Sequence, residues 1–251
     1  MTDALLSGLA IVALNLLHLG YLCYLALKSF KCTIAQHWRR YQLTHADMDL
    51  EQDRLHLQKI PRHLCIAISS ELTRSDDDWA AIIMDQCQAA CWAWHLGIQR
   101  LTIFEASGKL KSLSLSLYKQ HSQTLHDYCQ QHGLDRSHDA MKLAVLSLED
   151  AQQDLVRTSR KVYQHLNTQR LTADTIDVTL VDTFMQESTS DPDLMIVYDG
   201  LPHDHLFING YSPWRLKNTE FINATNHHRL DYAFFSHCLY KFAKVEQRFG
   251  R

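Results

Sequence analysis

The chain has 251 residues, 46% of them hydrophobic, which is enough for one substantial domain with a full core beside any targeting segment. A formal net charge of -3 excludes a nucleic-acid binder that works by bulk electrostatics. Eight Gly and four Pro argue against a loop-rich or disordered chain.

The first element is an apolar run without formal charge, Ala4 to Leu27. At about 1.5 Å per residue it reaches roughly 36 Å, enough to cross a hydrocarbon core of about 30 Å. A cleaved signal peptide would have a basic start and a shorter run, whereas this chain starts with Asp3. A buried helix of a soluble protein would be amphipathic, and this run is apolar nearly all round. Lys28, Lys31, Arg39 and Arg40 follow it, so its C-terminal side is expected to face the cytosol. The reading is a signal anchor over residues 1–30, then a juxtamembrane linker or helix over 31–59.

Residues 60–251 read as alternating strands and helices. "HLCIAIS" from His63 is a buried strand, and a helix starting at Ser75 or Asp76 stops at Gly97. "IQRLTIFEA" from Ile98 is a second strand, and the helix after it stops at Gly133. A third strand, Met141 to Ser147, leads into a helix in which Ser147 stands three residues before Asp150. "TADTIDVTLVDTFMQES" reads as one short helix capped by Thr172. "DPDLMIVYD" and "NTEFINA" are the fourth and fifth strands. The last helix, from Asp231, is expected to run on until it breaks off at Arg248-Phe249-Gly250. Strands alternating with helices imply an α/β fold with a mostly parallel central sheet flanked by helices.

Few motifs carry chemistry. The seven cysteines form no C-x-x-C pair and read as reduced core thiols. His203, His205, His227 and His228 lack metal-site spacing and read as surface or loop residues. No Gly-rich phosphate loop of the usual nucleotide-binding folds is present.

"KIPRHLCIAIS", "AWHLGIQRLTIFEASGKLK", "SDPDLMIVYDG", "YSPWRLKNTEFI" and "FFSHCLYKFAKVEQRFG" occur in the order found in the cis-prenyltransferase (undecaprenyl/dehydrodolichyl diphosphate synthase) superfamily. Within it, "VLSLEDAQQDLVR" and "PWRLKNTEFI" resemble the non-catalytic subunits of eukaryotic dehydrodolichyl diphosphate synthase. The resemblance, anchor included, covers nearly the whole chain. Catalytic members follow the first strand with Asp-Gly-Asn-x-Arg, which holds Mg²⁺ and diphosphate. Here the strand runs into "SSELTRSDDDW". "IIMDQ" (Ile82 to Gln86) imitates that motif inside a helix, and Asp85 reads as a helix-surface carboxylate. Asp76 to Asp78 read as a helix N-terminus. Val197 stands where catalytic members carry an Arg that grips diphosphate.

The resemblance therefore implies a chain inactive alone. Its partner, a catalytic cis-prenyltransferase subunit, would carry the Mg²⁺, with no metal bound by this chain. The complex would act on isopentenyl diphosphate and farnesyl diphosphate at the endoplasmic reticulum membrane, making the polyprenyl precursor of dolichol for protein glycosylation. Arg248 and Gly250 match an Arg-x-Gly that, in the family, enters the partner's isopentenyl diphosphate site. An Arg fork suits diphosphate oxygens, and Gly lets a backbone N–H approach them. Trp214, Glu220, Phe234, Phe235 and Phe249 are the expected interface residues, with core packing the competing role for the large rings. The rival reading is a membrane-tethered receptor or scaffold that keeps the fold without a part in catalysis.

Overall fold

The structure is a computed structural model. It describes residues 11–24, 26–27, 50–68, 76–135, 141–169, 172–186, 190–198, 206, 208, 210–224 and 229–246. The chain divides into two units, Met1–Met48 and Asp49–Arg251. In the first, residues 11–24 form helix α1, and every one of them is exposed. Among the described residues no helix is long and apolar enough to cross a membrane, and residues 1–10, 25 and 28–30 of the expected anchor lie outside them.

The second unit begins at Asp49, earlier than the boundary expected at residue 60. Helix α2 (Leu50–His56) belongs to it and buries Leu50. Strand β1 (His63–Ile68) is buried along its whole length, as expected of a central parallel strand covered on both faces. Helix α3 (Asp76–His95) follows. Its residues Ile83, Cys87 and Ala90 are buried, whereas Ala80 is exposed. From Asp85 to His95 it is buried nearly all round.

Strand β2 (Arg100–Glu105) leads through the single turn α4 (Lys109–Ser112) into α5 (Ser114–His132). Gly133 ends α5 in the left-handed region at φ 63°, where a Cβ is disfavoured. Strand β3 (Lys142–Leu146) has only Val145 fully buried, the mark of an edge. Helix α6 (Leu148–Gln169) starts as expected. The Ser147 N–H and hydroxyl donate to Asp150 Oδ2 at 2.8 and 3.0 Å.

The single helix expected from Thr172 is two elements. A 3-10 turn (Ala173–Thr175) precedes α7 (Val178–Gln186). Asp177 caps α7, its Oδ1 accepting the Leu180 N–H at 2.7 Å. Strands β4 (Leu194–Tyr198) and β5 (Glu220–Ala224) follow, with a 3-10 turn (Pro213–Arg215) between them. Helix α8 (Tyr232–Ala243), capped by Asp231, stops short of the expected tail. The N–H groups of Lys244 and Val245 reach back only three residues, to Lys241 and Phe242, so the last turn tightens and ends.

The sheet order is β3-β2-β1-β4-β5, with all four pairings parallel. One face carries the main core, where Leu64, Ile66, Ile196 and Tyr198 meet α3, α5 and α8. The other holds a smaller cluster of Cys65, Ala67, Phe104, Met195, Val197 and Tyr211. Five of the described cysteines are buried, and Cys23 is exposed.

Candidate functional site

In an open parallel sheet, ligands bind outside the carboxyl ends of the strands where strand order reverses. Here the chain moves outward from β1 through β2 to β3, then returns to place β4 on the other side of β1. The crevice therefore lies past the ends of β1 and β4, in register through Ala67–Val197 and Ile68–Tyr198. This pairing brings together the two departures noted in the sequence, the end of the first strand and the Val at the clamp position. Val197 is 3% exposed and packs with Cys65, Ala67, Phe104, Met195 and Tyr211. That set holds no cationic group to pair with a diphosphate.

Beneath the crevice, Asp85 is not a surface carboxylate. It is 8% exposed and held bidentately by Arg229, Nε to Oδ2 and Nη2 to Oδ1 both at 2.6 Å. The Leu230 N–H adds a third bond at 3.2 Å. Helix α3 had to turn Asp85 inward because the chain before α8 brings Arg229 against it. The hydrogen bonds that Arg229 donates to Asp85 hold the Arg229 pKa above its ordinary value. Next to it, Gln86 Nε2 donates to the buried Tyr198 hydroxyl at 2.8 Å, and burial raises the Tyr198 pKa. Among the described residues no group of three or more His, Cys, Asp or Glu side chains is placed to hold a metal ion, and Asp85 is spent on Arg229 and the Leu230 N–H.

Other acidic residues at the strand ends are committed to the backbone. Glu105, fully buried, accepts the N–H groups of Ser107 (2.6 Å) and Leu110 (3.3 Å) and so shapes the turn into α4. At the opposite end of the sheet, Asp193 Oδ2 accepts from the N–H groups of Arg62 (2.7 Å) and His63 (2.9 Å). The Asp of "DPDL" thus staples the starts of β1 and β4. Its nearness to Pro192 gave no signal of this, because its partners lie some 130 residues earlier.

A cleft of about 160 Å³ opens between the smaller apolar cluster and α6, lined by Phe104, Leu146, Asp150, Asp154, Tyr211 and Arg215. Arg215 is buried against Asp154, with Nε and Nη2 at 3.0 and 2.5 Å from Oδ2, and also donates to the Met185 carbonyl at 2.8 Å. Trp214 is half-buried beside it and donates Nε1–H to Asp182 at 2.8 Å. Lys217 reaches the same carboxylate, and these two donors, Lys217 first, hold the Asp182 pKa below the usual range.

Of the expected interface residues, Trp214 and Glu220 keep surface for a partner, Glu220 being half-buried on edge strand β5. Phe234 and Phe235 are 8% and 0% exposed in the main core, with the Phe235 ring 5.6 Å from that of Trp92. The structure gives these two rings the core-packing role. Arg248, Phe249 and Gly250 lie outside the described residues, as do His203, His205, His227 and His228.

No protein-family model matches the chain. Curated proteins do. The dehydrodolichyl diphosphate synthase complex subunit NUS1 of Homo sapiens is 26% identical over 223 residues, 82% of this chain and 72% of that one. The chain is similar to the NUS1 subunits. The Nus1 subunit of Mus musculus is 25% identical over 224 residues, 83% of this chain and 72% of the relative. That of Schizosaccharomyces pombe is 24% identical over 222 residues, covering 82% and 83%. Among solved structures, lavandulyl diphosphate synthase from Lavandula x intermedia matches with a TM-score of 0.47 and 17% identity, over 76% of this chain and 98% of that one. A probable undecaprenyl diphosphate synthase from Campylobacter jejuni matches at 0.46 and 10%, over 77% and 100%.

Proposed function

We propose that this chain is the accessory subunit of a heteromeric cis-prenyltransferase, a dehydrodolichyl diphosphate synthase. The observation that carries the reading is the apolar pair Ala67 and Val197 near the ends of β1 and β4, while the relatives are named as subunits of a synthase complex. A chain of this kind does its work through a partner. The catalytic subunit holds Mg²⁺ and the allylic diphosphate, and this chain supplies Arg248 and the Gly250 N–H to the isopentenyl diphosphate. Trp214 and Glu220 face the partner. So does α6, which buries Asp154, Thr158 and Val162 on one side and exposes Leu155, Val156 and Tyr163 on another.

The N-terminal run is the anchor that holds the complex at the endoplasmic reticulum membrane, with the Asp49–Arg251 unit in the cytosol. The exposed apolar α1 suits this role, since Ile11, Leu14, Leu16 and Leu17 are each more than half exposed.

The test is reconstitution with a catalytic subunit that carries Asp-Gly-Asn-x-Arg. Product should form only when both chains are present. Arg248→Ala should leave the complex intact and lower prenyl transfer about 100-fold, the usual cost of losing a charge-stabilising donor. Full activity in that variant would favour the scaffold reading instead.

A further inference from the structure

The sequence reads residues 31–59 as a linker, yet α2 within that stretch is fastened to the domain at several points. Leu50 and the following Leu57 are buried in the main core at 4% and 7% exposure. Glu51 Oε1 lies 2.8 Å from His95 Nε2, and His95 Nδ1 lies 2.7 Å from the Tyr128 hydroxyl. Lys59 Nζ stands 4.3 Å above the ring of Phe242.

The densest contact is at Asp53. Its Oδ2 accepts from the Tyr232 and Ser236 hydroxyls, the latter at 2.7 Å, and its Oδ1 accepts from the Tyr240 hydroxyl at 2.8 Å. All three donors come from α8, at positions i, i+4 and i+8 of one face. Hydrogen bonds from O–H groups to a carboxylate are the strong, charge-assisted kind. Burial first, then Asp53, pushes the Tyr240 pKa up to about 12, so the phenol stays a donor at neutral pH.

Three bonds spread along two turns fix both the rotation and the depth of α8. A slip of one residue would turn the helix by roughly 100° and break all of them. That matters because α8 ends at Ala243, five positions before Arg248 in the sequence. Five residues of chain reach at most roughly 18 Å, so the orientation of α8 limits where the Arg248 guanidinium can go.

We infer that Asp53 is a positioning residue, holding α8 in the rotation and depth from which Arg248 reaches the partner's diphosphate site. The inference rests on the function proposed above. It makes α2 a strut that ties the entry of the chain into the domain to the helix that launches its reacting end.

The experiment uses the full-length chain assembled with its catalytic subunit. Asp53→Asn keeps the shape but weakens the acceptor, and Tyr240→Phe removes a single donor should Asp53→Asn fail to assemble. Asp53→Asn should raise the apparent KM for isopentenyl diphosphate about tenfold, with kcat and the KM for farnesyl diphosphate changed less than about twofold. Tyr240→Phe should move the same KM in the same direction by about threefold. Added to Arg248→Ala, Asp53→Asn should cost nothing further, because both act through one contact. Leu55→Ala, on the exposed side of α2, should change none of these values.

Unchanged KM per assembled complex in both variants, with only yield or melting temperature reduced, would leave α2 a structural brace and overturn the inference. So would additive losses in the double variant. An Arg248→Ala complex of normal activity would instead sink the proposed function, and the two failures are told apart by that control.

Discussion

Acid should weaken this domain in part through His63, and one substitution isolates that share. His63 opens β1 at 2% exposure, with Nε2 2.8 Å from Thr102 Oγ1 and Nδ1 3.1 Å from Ser190 Oγ. Burial above all, then the nearby positive charge of Arg100, lowers its pKa from 6.5 to about 4. Between those two values the unfolded chain carries a proton that the folded chain does not. Stability from this residue is therefore fully present above pH 6.5 and is lost as pH falls towards 4. One proton corresponds to about 1.4 kcal/mol per pH unit, so the loss across the window approaches roughly 3 kcal/mol. Urea unfolding of the Asp49–Arg251 unit at stepped pH measures it, with His63→Gln as the non-titrating comparison. The native chain should lose stability more steeply than the variant by about one proton between pH 6.5 and 4. Parallel curves would refute the reasoning, whatever the offset between them.

The Asp85–Arg229 pair should be lopsided, because the Asp85 side chain is 10% exposed and that of Arg229 is 52% exposed. Arg229→Ala strands a buried carboxylate and should cost about 3 kcal/mol, whereas Asp85→Ala frees a guanidinium that water can take up and should cost about 1 to 2 kcal/mol. Denaturant unfolding of both variants checks the order, and a reversed order would contradict it. Gly210 has φ 81°, and a Cβ there would stand 2.3 Å from Leu148 Cδ1. Leu148 is partly exposed and can yield, so Gly210→Ala should cost about 1 to 2 kcal/mol through backbone strain above all. A melting temperature at or above that of the native chain would show that the turn tolerates a side chain.

Local signals in the chain were enough to place all five strands and most helices. β1 and β4 are short apolar runs that only a sheet buried on both faces can hold, and Gly133 and the Ser147–Asp150 pair mark helix ends within a few residues of themselves. The split at Asp177 and the early end of α8 were not legible. Each is decided by which of several nearby N–H and C=O groups pair, and periodicity is blind to that choice. The apolar character at the end of β4 could be read from the sequence, since Val197 is apolar in any fold.

The fate of the charged residues was settled by the tertiary structure. Asp85 looked like a surface carboxylate because its partner, Arg229, is 144 positions away, and Asp53 looked like part of a polar linker because its three donors lie in the last helix. Phe235 reads the same whether it meets a partner or its own core, and packing against Trp92 put it in the core. Apolar pattern and caps are short-range properties that a sequence displays directly. A buried carboxylate is stable only where distant donors converge on it, and that convergence exists only once the sheet order has brought those donors together.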